Sequence, residues 1–179
     1  MPPQPAGVYA FTQRKVNWVA VQGPNRYRRA MYTKFFRSAP YPLLTTFDSP
    51  DFQSVCTARV RSNTPLQSLA LANDEAMFEL AQGLGARLMS EVKGTDSVSN
   101  RERVRRAFVL CYSREPSEEE VETVVRFQES QQASFQDDEK GAKAVAPETA
   151  VDGFDLATAA SWTSVARALM NTDEFITRE

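Results

Sequence analysis

The stretch that decides the fold runs from Ser99 to Phe127 and reads "SNRERVRRAFVLCYSREPSEEEVETVVRF". Each half opens with a serine followed three residues later by a glutamate, Ser99 with Glu102 and Ser117 with Glu120. In such a capping box, the two side chains satisfy backbone N–H groups that the first helical turn leaves unpaired. Apolar side chains then recur every three or four residues, as one face of a helix requires. The stretch therefore predicts two successive α-helices.

Another helix is predicted upstream, in "NTPLQSLALAND" (residues 63–74). Asn63 or Thr64 can cap it, and Pro65 would take the first helical position, where a missing N–H costs nothing. This segment therefore carries its own start signal.

The next segment, "DEAMFELAQGLGARLMSEV" (residues 74–92), also has apolar residues at helical spacing. Gly83 and Gly85 either weaken this helix or admit a close neighbour. We expect Gly94 to end it.

A last helix is predicted in "DLATAASWTSVARALMN" (residues 155–171), with Asp155 as its cap. Its alanines would let neighbouring helices approach closely. Residues 137–154 are charged and Ala-rich, contain Gly and Pro, and lack a period. They predict an exposed, flexible loop.

These signals together predict a mostly α-helical fold, with a bundle of about five helices over residues 63–179. The side chains expected in the core are Leu69, Leu80, Leu84, Phe108, Cys111, Val121, Val125, Trp162 and Leu169.

Residues 1–62 hold seven of the ten prolines and predict an irregular segment that packs on the bundle. "VYAF" (residues 8–11) and "VNWVAVQ" (residues 16–22) are rich in strand-favouring residues and predict at most one short strand pair.

Within this segment, "NRYRRAMYTKFFRS" (residues 25–38) predicts a short helix capped by Asn25. Tyr27, Met31 and Phe35 would share one face of it.

The distribution of charge also separates residues 1–62 from residues 63–179. Residues 1–62 carry nine Lys or Arg, two Asp or Glu, and ten of the eighteen aromatic residues, whereas residues 63–179 carry twelve Lys or Arg and twenty-one Asp or Glu. A basic, aromatic-rich segment can indicate nucleic-acid binding. The basic residues are scattered in short groups, however, so attraction between the two parts of one molecule is favoured and nucleic acid is a disfavoured partner.

Composition excludes several chemistries. The chain has no histidine, so Ser-His-Asp and Cys-His nucleophilic systems and His-ligated zinc or haem are excluded. Cys56 and Cys111 are favoured as two buried thiols over one disulfide, and the residues alone leave that choice open. No run approaches the ~18 apolar residues of a membrane span, and the opening residues lack the basic and apolar regions of a secretory signal.

The candidate site is "FDSPDF" (residues 47–52), in which Asp48 and Asp51 stand three residues apart. Two carboxylates can bind a ligand or catalyse a reaction if they face one cleft. The structural alternative is favoured: Asp48 forms an Asx-turn, while Ser49 and Pro50 begin a helix. No catalytic or metal-binding residue is therefore assigned.

Arg59, Arg61 and Trp18 complete the candidate site. The two arginines would share one face of a strand and either pair with the two aspartates or clamp an anionic ligand. Trp18, with Tyr9 and Phe11, makes either a sugar-stacking platform or a covered aromatic core, and the core is favoured.

Four segments occur in this order: "YRRAMYTKFFR", "TTFDSPDFQSVCTARVRSNTPLQSLALAND", "RAFVLCYSREPSEEE" and "WTSVARALMNTDEFITRE". In them the chain resembles the C-terminal domain of unknown function of large secreted planctomycete proteins, which often carry a cytochrome-c-like domain upstream. The resemblance implies the C-terminal part of a larger extracytoplasmic protein, with haem confined to an upstream domain because this chain has no CxxCH. It carries over no catalytic residue and implies no cofactor here.

The function that these observations favour is a non-catalytic interaction or scaffold domain. Its expected partners are the upstream portion of the parent protein and other proteins or glycans. The alternative is a carbohydrate-binding or carbohydrate-processing module that uses Asp48, Asp51, Arg59 and Arg61, with Trp18.

Overall fold

The computed structural model describes residue 7 and residues 18–36, 39–50, 55–58 and 62–177. Eight α-helices lie in these residues: α1 (Pro42–Thr46), α2 (Pro65–Asn73), α3 (Glu75–Glu91), α4 (Ser97–Tyr112), α5 (Glu118–Asp137), α6 (Glu139–Val145), α7 (Leu156–Met170) and α8 (Asp173–Ile176). The described residues contain no strand. The predicted mostly α-helical class is confirmed.

The chain separates into two compact units, Met1–Ala76 and Met77–Glu179. The first unit holds α1 and α2, which contact each other. The second holds most of α3 and all of α4 to α8. The division predicted after residue 62 and the packing of residues 1–62 on the bundle both stay predictions.

Helix α7 lies at the centre of the second unit. Eleven of its fifteen residues are buried, including Trp162, and α5 and α6 pack along it. A helix that is apolar on most faces has to be an interior helix, because no face of it suits water. The main cluster of buried core residues, which includes residues of α7 itself, consists of Leu88, Met89, Val104, Ala107, Phe108, Val121, Val125, Ala142, Ala146, Ala159, Ala160, Trp162, Val165 and Leu169.

Gly85 lets α3 approach α7 closely. A methyl group on Gly85 would lie 3.1 Å from the backbone nitrogen of Thr163 and 3.2 Å from the carbonyl carbon of Trp162. The same group on Gly83 would meet no atom within 4 Å. The sequence allowed either glycine to weaken α3 or to admit a close neighbour. Gly85 is the one that admits a close neighbour, the backbone of α7.

Three predicted helix starts are confirmed. Thr64 caps α2 with Pro65 in the first turn, Ser117 caps α5 in a capping box with Glu120, and Asp155 caps α7. In each case the capping side chain accepts a hydrogen bond from a backbone N–H of the first turn, which would otherwise lack a partner.

The predicted start of α4 at Ser99 is wrong. The helix begins at Ser97, and the Asp96 side chain caps it by accepting hydrogen bonds from the amides of Val98 and Ser99. The Ser99 hydroxyl donates to the same carboxylate. A carboxylate at the positive end of the helix competes well against a serine three positions later. The end of α3 also differs from prediction, since α3 ends at Glu91, before Gly94.

The helix predicted from Asn25 is wrong. Two short 3₁₀ helices, Pro24–Tyr27 and Ala30–Tyr32, replace it, and neither has a side-chain cap. Arg28 and Arg29 between them are extended, with ψ near 150°. The predicted strand pair falls largely on residues 8–17, outside the described residues, and residues 18–22 form no strand.

Five predicted core residues, Phe108, Val121, Val125, Trp162 and Leu169, are buried, while Leu84 and Cys111 pack half-buried against the core. Leu69 and Leu80 are not core residues, since they are 59% and 40% exposed. On α2 the buried position is taken by Gln67 instead, because its amide has hydrogen-bond partners there.

Residues 137–154 differ in part from the predicted loop. Residues Glu139–Val145 form α6, which Asp138 caps and which packs on α7. The alanine-rich sequence of this segment lacks the helical spacing of large apolar residues. Ala142 and Ala146 are nevertheless buried, because they are small enough to pack against α7. The flexibility of the remaining residues stays a prediction.

The two glycines of α3 give a matched test of the close approach. We expect Gly85→Ala to destabilise the fold by about 1–3 kcal/mol, because the new methyl group overpacks against backbone. Gly83→Ala should stabilise it by about 0.5–1 kcal/mol, because it removes only the helical cost of glycine. Urea unfolding of both variants measures the difference, and equal effects would contradict the close packing of α3 on α7.

Candidate functional site

Asp48 lies just after α1, where the chain turns out of the helix. The amide of Ser49 donates to the carbonyl of Leu44 (2.9 Å), and the amide of Asp48 donates to that of Thr45 (3.3 Å). This pair of bonds is a Schellman motif, which needs a left-handed residue at Asp48, and its φ is 54°. Asp48 therefore ends a helix, and the predicted Asx-turn, which would involve residues beyond Pro50, stays a prediction because residues 51–54 lie outside the described residues.

The Asp48 carboxylate holds a distant part of the chain in place. Its Oδ2 accepts hydrogen bonds from the amide (2.9 Å) and the hydroxyl (2.6 Å) of Ser62. Gln67 Nε2 donates to the Ser62 hydroxyl (2.9 Å) and to the carbonyl of Thr46 (2.9 Å), and lies 3.5 Å from the same Oδ2. Gln67 also belongs to the capping box with Thr64. The carboxylate thus ties the end of α1 to the start of α2.

The other three charged residues of the predicted site are not described by the structure. Asp51, Arg59 and Arg61 lie outside the described residues, as does any helix beginning at Pro50. The structure therefore places Asp48 alone of the four charged candidates. Sequence reasoning missed Gln67, which is almost wholly buried, although its place three residues after Thr64 completes a capping-box pattern.

Trp18 lies in an aromatic cluster of the first unit. Its ring stacks on Tyr41 with centroids 5.4 Å apart and an interplanar angle of 14°, and it lies 6.1 Å from Phe36. Tyr41 is buried, and that burial, with the charge of Asp74, raises the pKa of its hydroxyl. Trp18 is half-buried, so one face of its ring serves packing. Tyr9 and Phe11 lie outside the described residues.

Residues 18–36 expose both apolar and cationic side chains, and we name them the cationic-apolar segment. It contains no Asp or Glu. Its exposed large apolar residues are Val19, Val21, Tyr27, Met31 and Tyr32, and its exposed cations are Arg28, Arg29 and Lys34. The Arg28 guanidinium lies 5.6 Å from the Tyr32 ring centroid, and the Lys34 ammonium lies 4.8 Å from that of Phe36. The remaining cation, Arg26, is buried and pairs with Glu75 at 2.9 Å.

A buried arginine lies in the core of the second unit. Arg103 is wholly buried, and its guanidinium donates to the carbonyls of Val92 (2.9 Å) and Gly94 and to Asn100 Oδ1 (2.6 Å). It also lies 4.8 Å from the centroid of the Phe154 ring and 5.3 Å from that of Trp162. Burial lowers the pKa of Arg103, and the charge of Asp96 opposes that change.

Asn100 extends this arrangement into a chain of polar side chains between α4, α5 and α7. Its amide lies 3.5 Å from Gln128 Oε1, and Gln128 donates to Ser161 (2.9 Å) and to Gln132 (3.0 Å). Gln132 in turn donates to the Thr158 hydroxyl (2.9 Å). Gln128 and Ser161 are wholly buried, so these bonds satisfy groups that water does not reach.

Arg114 clamps two glutamates at one end of the bundle. It makes two hydrogen bonds with each of Glu120 and Glu174, at 2.6–3.0 Å. The hydrogen bonds from Arg114 lower the pKa of Glu120 to about 2 and lower that of Glu174 as well. Tyr112 adds a bond from its hydroxyl to the carbonyl of Leu169 (3.1 Å). The clamp therefore joins the segment after α4 to α5 and α8, while Tyr112 joins α4 to α7.

Both cysteines are unbridged. Burial raises the pKa of the Cys111 thiol to about 11, which keeps it protonated at neutral pH. Cys56 is exposed, so the expectation of two buried thiols is wrong for this residue.

Among the described residues, no three His, Cys, Asp or Glu side chains are grouped so that they could hold a metal ion. No helix in that part of the chain has the length and apolarity needed to cross a membrane.

The fold and its polar contacts define a mostly α-helical protein class in which many of the described charged groups serve as helix caps, ion pairs or members of buried networks. Comparison with known families then gives the identity: the chain belongs to the PSD1 family, described as "Protein of unknown function (DUF1553)", whose model matches residues 1–128. The match ends within α5, so α6, α7 and α8 lie beyond it. No curated protein and no solved structure matches the chain.

The Arg114 clamp predicts a pH dependence of stability. Both glutamates have a lower pKa in the folded state than the ordinary value of 4.5, so their contribution is present above that value and is lost as the pH falls toward 2. We expect Arg114→Met to flatten the fall in the free energy of unfolding between about pH 5 and pH 2. Chemical denaturation at a series of pH values measures it. Arg126→Met is the control and should keep the wild-type slope.

The Asp48 network predicts a structural role for its carboxylate. We expect Asp48→Ala to destabilise the protein by about 1–3 kcal/mol, because it removes charged hydrogen bonds and puts alanine in a left-handed conformation. Asp48→Asn should cost less. Thermal unfolding gives the size, and faster hydrogen exchange at the Ser62 amide gives the location.

Asp152→Ala, which removes an exposed carboxylate elsewhere, is the matched control for this variant and should change stability by less than about 0.5 kcal/mol. An unchanged melting temperature of Asp48→Ala, together with altered saccharide binding, would instead place Asp48 in a binding site.

Proposed function

We propose that this chain is a non-catalytic interaction domain and that its cationic-apolar segment (residues 18–36) contacts a protein partner. The observation that carries the proposal is the joint exposure of five large apolar side chains and three cations in one segment without acidic residues. Exposed apolar groups that occur together with charged ones are typical of protein–protein contact sites.

The state of these cations supports the proposal. Within the described part of the chain, Arg28, Arg29 and Lys34 have no carboxylate partner, whereas Arg26 of the same segment is buried against Glu75. Arg28 and Lys34 instead lie near aromatic rings, where a cation gains weakly and stays accessible. These three cations are therefore available to acidic groups of another molecule.

The use of the other polar groups supports a non-catalytic role. Asp48, the placed member of the predicted carboxylate pair, is engaged by Ser62 and holds the backbone. The lowered pKa values of Glu120 and Glu174 come from the clamp around Arg114. Perturbed groups of this kind are explained by structural pairing and need no catalytic role.

The partner's chemistry follows from the segment. We infer a protein segment that combines Asp or Glu with large apolar residues, because its carboxylates would neutralise the free cations while its apolar side chains cover Met31 and Tyr32. We further propose, on the family resemblance, that the partner belongs to a larger extracytoplasmic parent protein with an upstream cytochrome-c-like domain.

The carbohydrate alternative has less support. Two of its residues already make contacts within the protein. Asp48 accepts hydrogen bonds from Ser62, and the ring of Trp18 stacks on Tyr41. Asp51, Arg59 and Arg61 stay candidate residues for this alternative.

A fluorescent peptide that alternates acidic and large apolar residues tests the proposal. We expect it to bind the protein, more weakly as salt rises, because exposed ion pairs are screened. The variant Arg28→Glu/Lys34→Glu should weaken binding by about tenfold, as expected for two exposed pairs turned repulsive. Fluorescence anisotropy measures both.

The matched control is Lys93→Glu/Lys140→Glu, which changes the net charge equally at two exposed lysines outside the segment. It should bind like the wild type. Equal binding of a peptide with lysine in place of its acidic residues, or equal losses in the two double variants, would contradict the proposed contact.

A further inference from the structure

A pocket of about 440 Å³ lies in the second unit, where α6 ends and α7 begins. Its wall includes the apolar side chains of Val151, Phe154 and Ala159. The volume lies within the range of small-molecule sites, which are concave and mostly apolar with a few polar groups that set specificity. It also lies beyond residues 1–128, which the family model matches.

Hydrogen bonds and ring contacts fix the walls of this pocket. Gln82 Nε2 donates to the carbonyl of Ala146 (2.8 Å), which holds the end of α6. The Arg103 guanidinium lies over the Phe154 ring, and the amide of Phe154 donates to the carbonyl of Val151 (3.2 Å). The pocket is therefore formed before a ligand arrives, which lowers the entropy lost on binding.

Three charged side chains line the same pocket: Lys143, Glu148 and Asp155. Asp155 Oδ1 caps α7 by accepting from the amide of Thr158 (2.6 Å). Within the described part of the chain, Lys143 and Glu148 have no hydrogen-bond or ion-pair partner. These lining side chains, two carboxylates and one ammonium, carry a net charge of −1 beside an apolar wall.

We propose that this pocket binds a small organic cation with an apolar body, such as an aryl-alkyl ammonium. The apolar body packs against Val151, Phe154 and Ala159, where it is removed from water. The ammonium group lies toward Glu148 and Asp155 at the mouth. Lys143 balances one of the two carboxylates, so a single positive charge on the ligand balances the charge of the lining side chains.

Three probes with the same apolar body test this proposal: 3-phenylpropylammonium, 3-phenylpropanol and 3-phenylpropanoate. We expect saturable binding of the ammonium, with amide chemical-shift changes in the wild-type protein confined to residues around Val151 and Ala159. The neutral alcohol should bind about two- to fivefold more weakly, which corresponds to one exposed ion pair, and the carboxylate should bind more weakly still.

Two variants and one control separate the pocket from the rest of the surface. Ala150→Trp fills the pocket from an exposed loop position and should abolish binding of all three probes. Glu148→Gln should reduce the ammonium to the affinity of the alcohol and leave the alcohol unchanged. Glu129→Gln removes an exposed carboxylate of α5 outside the pocket and should bind like the wild type.

Equal affinity of the ammonium and the alcohol for the wild type would overturn the proposal. So would shift changes spread over the surface without saturation, or unchanged ammonium binding in Glu148→Gln. The measurements involve only the second unit, so their outcome is separate from that of the acidic-peptide experiment on residues 18–36.

Discussion

The second unit depends on one buried cation, the guanidinium of Arg103. Burying a charge costs several kcal/mol unless hydrogen bonds replace its hydration. Here the carbonyls of Val92 and Gly94, which follow the C-terminal end of α3, accept from it at the negative end of that helix. The rings of Phe154 and Trp162 lie beside it. Because these partners come from the segment after α3, the segment before α7 and α7 itself, a shift of any of these parts would weaken the contacts that compensate the buried charge.

The chain of polar side chains that begins at Arg103 also fixes the position of α5, another long helix of this unit. Asn100, Gln128 and Ser161 place one polar group each from α4, α5 and α7 in the core, and each must find the others to be satisfied. Apolar contacts alone would tolerate a small slide of one helix along another. We therefore attribute the register of these three helices to this network, with Gly85 setting how near α3 comes to α7.

The candidate site shows how a pattern that looks chemical can be structural. Asp48 and Ser62 lie fourteen residues apart, and nothing in their local sequence predicts that they meet. Gln67 was predictable as part of a capping box with Thr64, but its burial was not, because that depends on the carbonyl of Thr46 arriving from α1. The prediction of Leu69 as a core residue is wrong because periodicity shows which residues share a face of a helix but not which face is covered.

The sequence by itself determined the helical class and the starts of several helices. Caps such as Thr64, Ser117 and Asp155 act on backbone groups two or three residues away, so the local sequence contains the whole interaction. Only the tertiary structure decided which arginine of "RERVRR" is buried and that the Asp48 carboxylate binds Ser62. Those outcomes depend on partners that are distant in sequence. A polar group without a partner costs little free energy at the surface but much more when it is buried, so these partners matter most in the interior.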